Sequence, residues 1–165
     1  MKPIKTILHP TDFSRPCELG LRIACTLANE PDARLILLHV VPRCATEAPG
    51  SMMTAPRSSR IYKAHWEEMR RKLHDLPLPG LKARVEHLLA EGGPAAAILH
   101  AAHEHCCDLI VMGTHGWTGV ARHMMGSVAE EVMKMAPCPV VMVRVPLVEQ
   151  PSVDETAPED VGVIL

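Results

Sequence analysis

Two uninterrupted aliphatic runs, RLILLHVV at 34–41 and DLIVMG at 108–113, constrain this chain most. Neither alternates apolar with polar residues, so neither suits a strand with one wet face. Strands of this composition are buried on both sides, the condition of strands inside a parallel sheet covered by helices. Around these runs the period changes. IKTILH at 4–9 reads as a first strand that stops at Pro10 and gives way to the loop PTDFS. Ser14 then stands as an N-cap, with Pro16 in the first turn and Leu19, Ile23, Ala24 and Leu27 on one face of a first helix. Ile61 to Leu76 carries Trp66, Met69 and Leu73 at helical spacing and ends in LPLPG. ARVEHLLAEG reads as a third strand, and Pro94 after two glycines opens a helix through His105. SVAEEVMKMA is a fourth helix and PVVMVRV a fifth strand. Strict alternation of strand and helix predicts an α/β fold, a single doubly wound parallel sheet with helices on both faces. Ligands of such sheets lie beyond the carboxyl ends of the strands, where the winding reverses. The strand ends at His9, Val41 and Met112 are therefore the places to search.

A chain of 165 residues fits one domain, placed at 1–146. Within it, 43–60 is rich in Pro, Ser, Thr, Gly and Met without a period and reads as a long mobile loop. The stretch 147–165, LVEQPSVDETAPEDVGVIL, is acidic and aperiodic and reads as a disordered tail. A net charge of -2, one Phe, one Tyr and two Trp give neither the basic field nor the stacking platforms that nucleic acid needs. The apolar start in MKPIKTILHP is too short for a signal or a membrane span, so a cytoplasmic protein is expected. Six irregularly spaced cysteines without a C-x-x-C pair predict reduced thiols, mostly buried.

The stretch VMGTHGWTGVARHMMGSVAEEV at 111–132 passes from strand to helix with glycines at 113, 116 and 126 and a serine at 127. Glycine there lets backbone N–H groups come close to phosphate oxygens and tolerates positive φ. The spacing, G-x2-G-x9-G-S, is neither a Walker loop nor G-x-G-x-x-G, and the Walker lysine is absent. Ser127 with Glu130 also fits a capping box, and a helix N-terminus can serve anion and cap together. Asp12 reads equally as the turn or cap aspartate that opens helix one. HAAHEHCC at 100–107 could bring His100 and His103 near Cys106 or Cys107 for a metal or redox site. It lacks the H-E-x-x-H pattern and a second ligand pair, so the plainer reading is a solvated helix face over packed cysteines.

ILHPTDFS, LILLHVV, DLIVMGTHG, GSVAEEV and CPVVMVR occur in that order, and together the chain resembles the universal stress protein family over about residues 3 to 145. The glycine spacing is that of the family's ATP-binding branch. The resemblance implies a Rossmann-like, adenine nucleotide alpha hydrolase-like sheet of order 3-2-1-4-5, binding ATP, AMP or another adenine nucleotide with Mg2+ on the phosphates. It puts Asp12, flanked by Pro10 and Thr11, on ribose or adenine, and the Val40 backbone on the adenine edge. Met112, Gly113, His115, Gly116, Gly126 and Ser127 would surround ribose and phosphates, Val128 would extend that surface, and Arg122 would supply a counter-charge. It further implies a homodimer through the edge strand at 139–145. Trp117 replaces a residue that is commonly basic, which weakens the phosphate side. His9 replaces a common aliphatic residue and either alters the adenine pocket or fills space. The expected function is regulatory nucleotide binding in a stress response, because only His115 and Asp12 offer themselves as a base. The alternatives are a slow ATPase or self-phosphorylating protein using Ser127, Thr114 or Thr118, and a His/Cys metal or redox module.

Overall fold

The structure, a computed structural model, describes residues 3–30, 32–42, 60–114 and 126–144. Its elements follow in chain order as β1 (Thr6–Pro10), α1 (Arg15–Leu27), β2 (Arg34–Val41), α2 (Arg60–His74), β3 (Arg84–Glu91), α3 (Pro94–Glu104), β4 (Leu109–Gly113), α4 (Ser127–Met135) and β5 (Val140–Val143). The five strands form one sheet of order β3-β2-β1-β4-β5 with every neighbouring pair parallel. The doubly wound sheet expected from the alternation is therefore present, and so is the strand order that the resemblance implies. Arg60, placed by sequence in the loop 43–60, already belongs to α2. The rest of that loop and the tail 147–165 lie outside the described residues.

Helices cover both faces. On one, Ile7, Leu35, Leu37, Leu109 and Val111 pack under Leu21, Ala24 and Cys25 of α1 and Leu73 of α2. On the other, Leu8, Ile36, Leu38, Ile110 and Met112 pack under Ala95, Ile98 and Ala102 of α3 and Ala129 and Val132 of α4. Consecutive residues of β1, β2 and β4 thus go to opposite cores, which is why the two aliphatic runs show no polar alternation. At the sheet's amino end, Asp108 Oδ2 accepts the backbone N–H groups of Lys5 and Thr6, each at 3.0 Å, and so clamps the start of β1 to the start of β4.

The buried face of α1 differs from expectation in part: Ala24 is buried and Ile23 packs against the core as expected, but the two outer leucines do not. Leu19 and Leu27 are 37% and 39% exposed, whereas Cys17, Gly20, Leu21, Ala24 and Cys25 are buried. The helix turns Gly20 towards the sheet, where His9 fills the space beneath it. A Cβ at Gly20 would stand 3.1 Å from His9 Cε1. His9 is fully buried, and its Nδ1–H donates to the Val111 carbonyl at 2.8 Å. Its ring lies on the α1 side and fills space.

Burial holds the His9 pKa down, from the ordinary 6.5 to about 4. The unfolded chain therefore takes up a proton between those values that the folded chain refuses. Neutral burial of His9 costs nothing extra above pH 6.5. Stability should fall by about 3 kcal/mol as pH drops from 6.5 towards 4, then level off. Chemical denaturation at stepped pH checks this, and a His9→Leu variant with the same slope over that window would exclude His9 as the source.

Candidate functional site

The β1–β4 ladder ends early, at Leu8↔Ile110, while β1 and β2 stay paired to Pro10↔Leu38. Pro10 explains the asymmetry. Even-numbered residues of β1 aim their backbone groups at β4, as the bond from Asp108 N–H to Thr6 O records. Pro10 has no N–H to contribute on that side. The two strands part there, at the point where the winding reverses, and a cleft of about 490 Å³ opens at their carboxyl ends. Of the residues singled out by sequence, Pro10, Thr11, Asp12, Val40, Met112, Gly113, Gly126, Ser127 and Val128 all line this cleft. His115, Gly116 and Arg122 lie outside the described residues, as does Trp117.

The loop after β1 is tightly held. Thr11 N–H donates to Leu38 O at 2.8 Å, and Thr11 O accepts from His39 Nδ1 at 2.8 Å. Phe13 N–H donates to Thr11 Oγ1 at 3.0 Å, and Ser14 N–H to Asp12 Oδ1 at 2.9 Å. Asp12 is thus the turn aspartate that one reading expected, and it also faces the cleft. Phe13 adopts a positive φ of 63°, and its ring centroid lies 4.5 Å from that of His39. Ser14 occupies the N-cap position of α1, but its side chain makes no capping bond. Burial, acting first, lowers the His39 pKa and favours the neutral ring.

Val40 offers backbone rather than side chain. Leu38 O points towards β1, and alternation sends the Val40 N–H and C=O the same way, beyond the point where the β1 register has ended. Across the cleft, Thr114 N–H donates to Val143 O and Gly126 N–H to Thr114 O, both at 2.9 Å. These bonds bring the end of β4 and the start of α4 together.

The capping-box expectation for α4 fails. Gly126 is the N-cap, Ser127 is the first helical residue, and the N-cap residue has no side chain with which to cap the helix. Glu130 instead pairs with Lys134 at 2.6 Å, one turn further along. The first turn of α4 lines the cleft with no cap from its own N-cap residue, an electropositive end suited to an anion. Positive φ is not what Gly113 and Gly126 supply, because the positive-φ glycines among the described residues are Gly80 and Gly92. Gly126 has φ −62° and ψ 146°. Gly113 supplies closeness: a Cβ there would meet Pro16 Cβ at 3.1 Å and Cys17 N at 3.3 Å.

Among the described lining residues Asp12 is the one carboxylate, and neither Lys nor Arg is present. A divalent cation would thus be held mainly by a ligand's own phosphates, which is how Mg2+ is commonly bound. Thr114, named by sequence only as a possible phosphorylation site, also lines the cleft, as do Cys17, Leu38, His39, Pro42, Pro94, Ile98 and Ala129, which sequence did not single out for the site. A polar ring in an otherwise aliphatic run was a usable signal for His39, since a half-buried imidazole needs a partner.

The His/Cys cluster does not converge. His100 is exposed and pairs with Glu104 at 3.4 Å, Cys106 is exposed, and Cys107 is buried with its thiol pushed up to about 12 by burial. Among the described residues no group of three metal-ligating side chains comes together, and no helix is long and apolar enough to cross a membrane.

The profile of the universal stress protein family matches residues 3–144. A universal stress protein of Methanocaldococcus jannaschii is 38% identical over 146 residues, spanning 86% of this chain and 83% of its own. A solved structure of a second universal stress protein from that archaeon superposes with a TM-score of 0.73 at 26% identity, covering 88% of this chain and 99% of the other. A universal stress protein solved in complex with cAMP superposes at 0.57 with 22% identity, over 88% of this chain and 100% of the other.

Proposed function

The chain belongs to the universal stress protein family, and from that premise we propose that it is a regulatory protein whose cleft binds an adenine nucleotide, ATP with Mg2+ being the first candidate. The observation that carries this reading is the pairing of two unlike ends in one cleft. Asp12 and the outward-facing Val40 backbone stand on one side, and the N-terminus of α4, whose N-cap is a glycine, stands on the other. The first pair suits a nucleoside, which needs directional hydrogen bonds to base and ribose. The second suits phosphates, whose charge the helix end complements without a lysine. Mg2+ would lower the remaining charge of a triphosphate, and Arg122, outside the described residues, is proposed to add a counter-charge alongside His115 and Gly116. The family match over 3–144 supports residues 1–146 as the nucleotide-binding domain. We place a homodimer contact on 139–145, since β5 is an edge strand bonded to β4.

Binding, rather than turnover, is the activity proposed. Calorimetry with adenosine, AMP, cAMP and ATP, the phosphorylated ligands with Mg2+ present, tests it, and labelled ATP in the same samples reports any hydrolysis or self-phosphorylation. Asp12→Ala should weaken all four ligands by a similar factor, about tenfold, because it acts on the part that they share. Ser127→Ala should weaken ATP about tenfold and leave adenosine unchanged. If the wild-type protein binds none of the four, the reading is wrong.

A further inference from the structure

We infer that His39 is a positioning residue of the nucleotide cleft, setting the place of Asp12 through the Thr11 peptide; this rests on the nucleotide-binding reading above. The backbone of Thr11 is gripped on both sides of its Cα. Its N–H goes to Leu38 O and its C=O receives the Nδ1–H of His39, each at 2.8 Å, so adjacent residues of β2 fix the residue that precedes Asp12.

The rest of the turn depends on that grip. Asp12 Oδ1 accepts the Ser14 N–H at 2.9 Å and Thr11 Oγ1 accepts the Phe13 N–H at 3.0 Å. Between them Phe13 is held at φ 63°, a left-handed conformation that a bulky side chain rarely adopts. Such a conformation persists only where its surroundings over-determine it. The His39 ring supplies one restraint through its bond to Thr11 O and another by packing on the Phe13 ring at 4.5 Å between centroids.

The bond also sets the ring's chemistry. Thr11 O can only accept, so the Nδ1 of His39 carries a proton. Burial keeps the ring neutral, with Asp12 opposing that shift and His65 and Lys72 of α2 reinforcing it. His39 accordingly acts as a fixed neutral donor, linking α2, β2 and the Asp12 turn.

Three chains decide the matter: wild type, His39→Leu and His39→Asn. Leucine keeps bulk without a donor, whereas the asparagine amide nitrogen falls near the place of Nδ1 and restores the donor without the ring. His39→Leu should weaken adenosine, AMP and ATP by the same factor, about tenfold, since the lost bond acts on the shared nucleoside. His39→Asn should return affinity to within about threefold of wild type.

A leucine variant that binds as wild type does, or an asparagine variant no better than leucine, overturns the proposal and leaves His39 a packing residue. A loss confined to ATP overturns it as well. If His39→Leu does not fold, His39→Asn decides alone: retained affinity upholds the donor role, and a loss of more than about tenfold rejects it. Absence of binding by wild type would remove the underlying reading and this inference together, and would be visible before either variant is made.

Discussion

Gly113→Val is expected to destabilise the fold by about 4 kcal/mol, a large share of the roughly 5–15 kcal/mol by which native domains are stable. Gly113 ends β4 against the first turn of α1, where a Cβ would already lie 3.1 Å from Pro16 Cβ, 3.2 Å from Pro16 C and 3.3 Å from Cys17 N. Two of those three atoms are backbone, and the third belongs to a ring that cannot swing aside. Alanine must push α1 outward by a few tenths of an ångström, and valine by more. Gly113→Ala should therefore cost about 1–3 kcal/mol, with valine worse. Denaturant titration of both variants measures the series. A valine variant as stable as wild type would mean that α1 does not pack on β4 as described.

Gly126→Val should have the opposite character, losing ATP affinity by about a thousandfold or more while the protein stays folded. Its backbone, φ −62° and ψ 146°, is one that any L-residue adopts, so the substitution strains nothing locally. Exchanging glycine for valine at an N-cap costs only about 1 kcal/mol. The added isopropyl group, however, stands at the mouth of α4, where phosphate oxygens would have to reach the helix's first N–H groups. Calorimetry with ATP and Mg2+, paired with a thermal melt, separates the two effects. Binding unchanged from wild type would place the phosphates elsewhere, whatever the fate of the nucleoside side.

The two glycines show what the amino-acid sequence reveals and what it hides. Both stood out, because glycine between a buried strand and a helix invites the question of what comes close. For Gly113 the close neighbour includes Pro16, remote in sequence, and no local pattern can report a contact of that kind. The strands β2 and β4 were legible for a simple reason: burial on two faces demands unbroken aliphatic runs. The buried face of α1 was misjudged in part because apolar periodicity weights the largest side chains, Leu19 and Leu27, whereas the residue over His9 is Gly20, with Leu21, Ala24 and Cys25 packing beside it. Ser127 and Glu130 matched a capping pattern, but pattern cannot weigh Lys134, which lies one turn on and takes Glu130 for itself. At the cleft, the strand ends were found from winding alone. The Thr11 peptide and its bond to His39 were not, because that bond joins two strands through a backbone carbonyl that carries no identity in the sequence.

The bond between Gly126 N–H and Thr114 O has a bearing on how such a protein can diversify. It closes a ring in the chain: the segment 115–125 begins after Thr114 and ends before Gly126, the bond between those two residues ties its ends together, and the Thr114 N–H is itself tied to β5 through Val143 O. Closing a longer ring costs little, about 0.6 kcal/mol per doubling of length. By that measure alone, the number of residues between Thr114 and Gly126 can change at small entropic cost to the bond that joins them. The end of β4 and the start of α4 would stay joined at Thr114 and Gly126 through such a change, with β5 tied to the same residue.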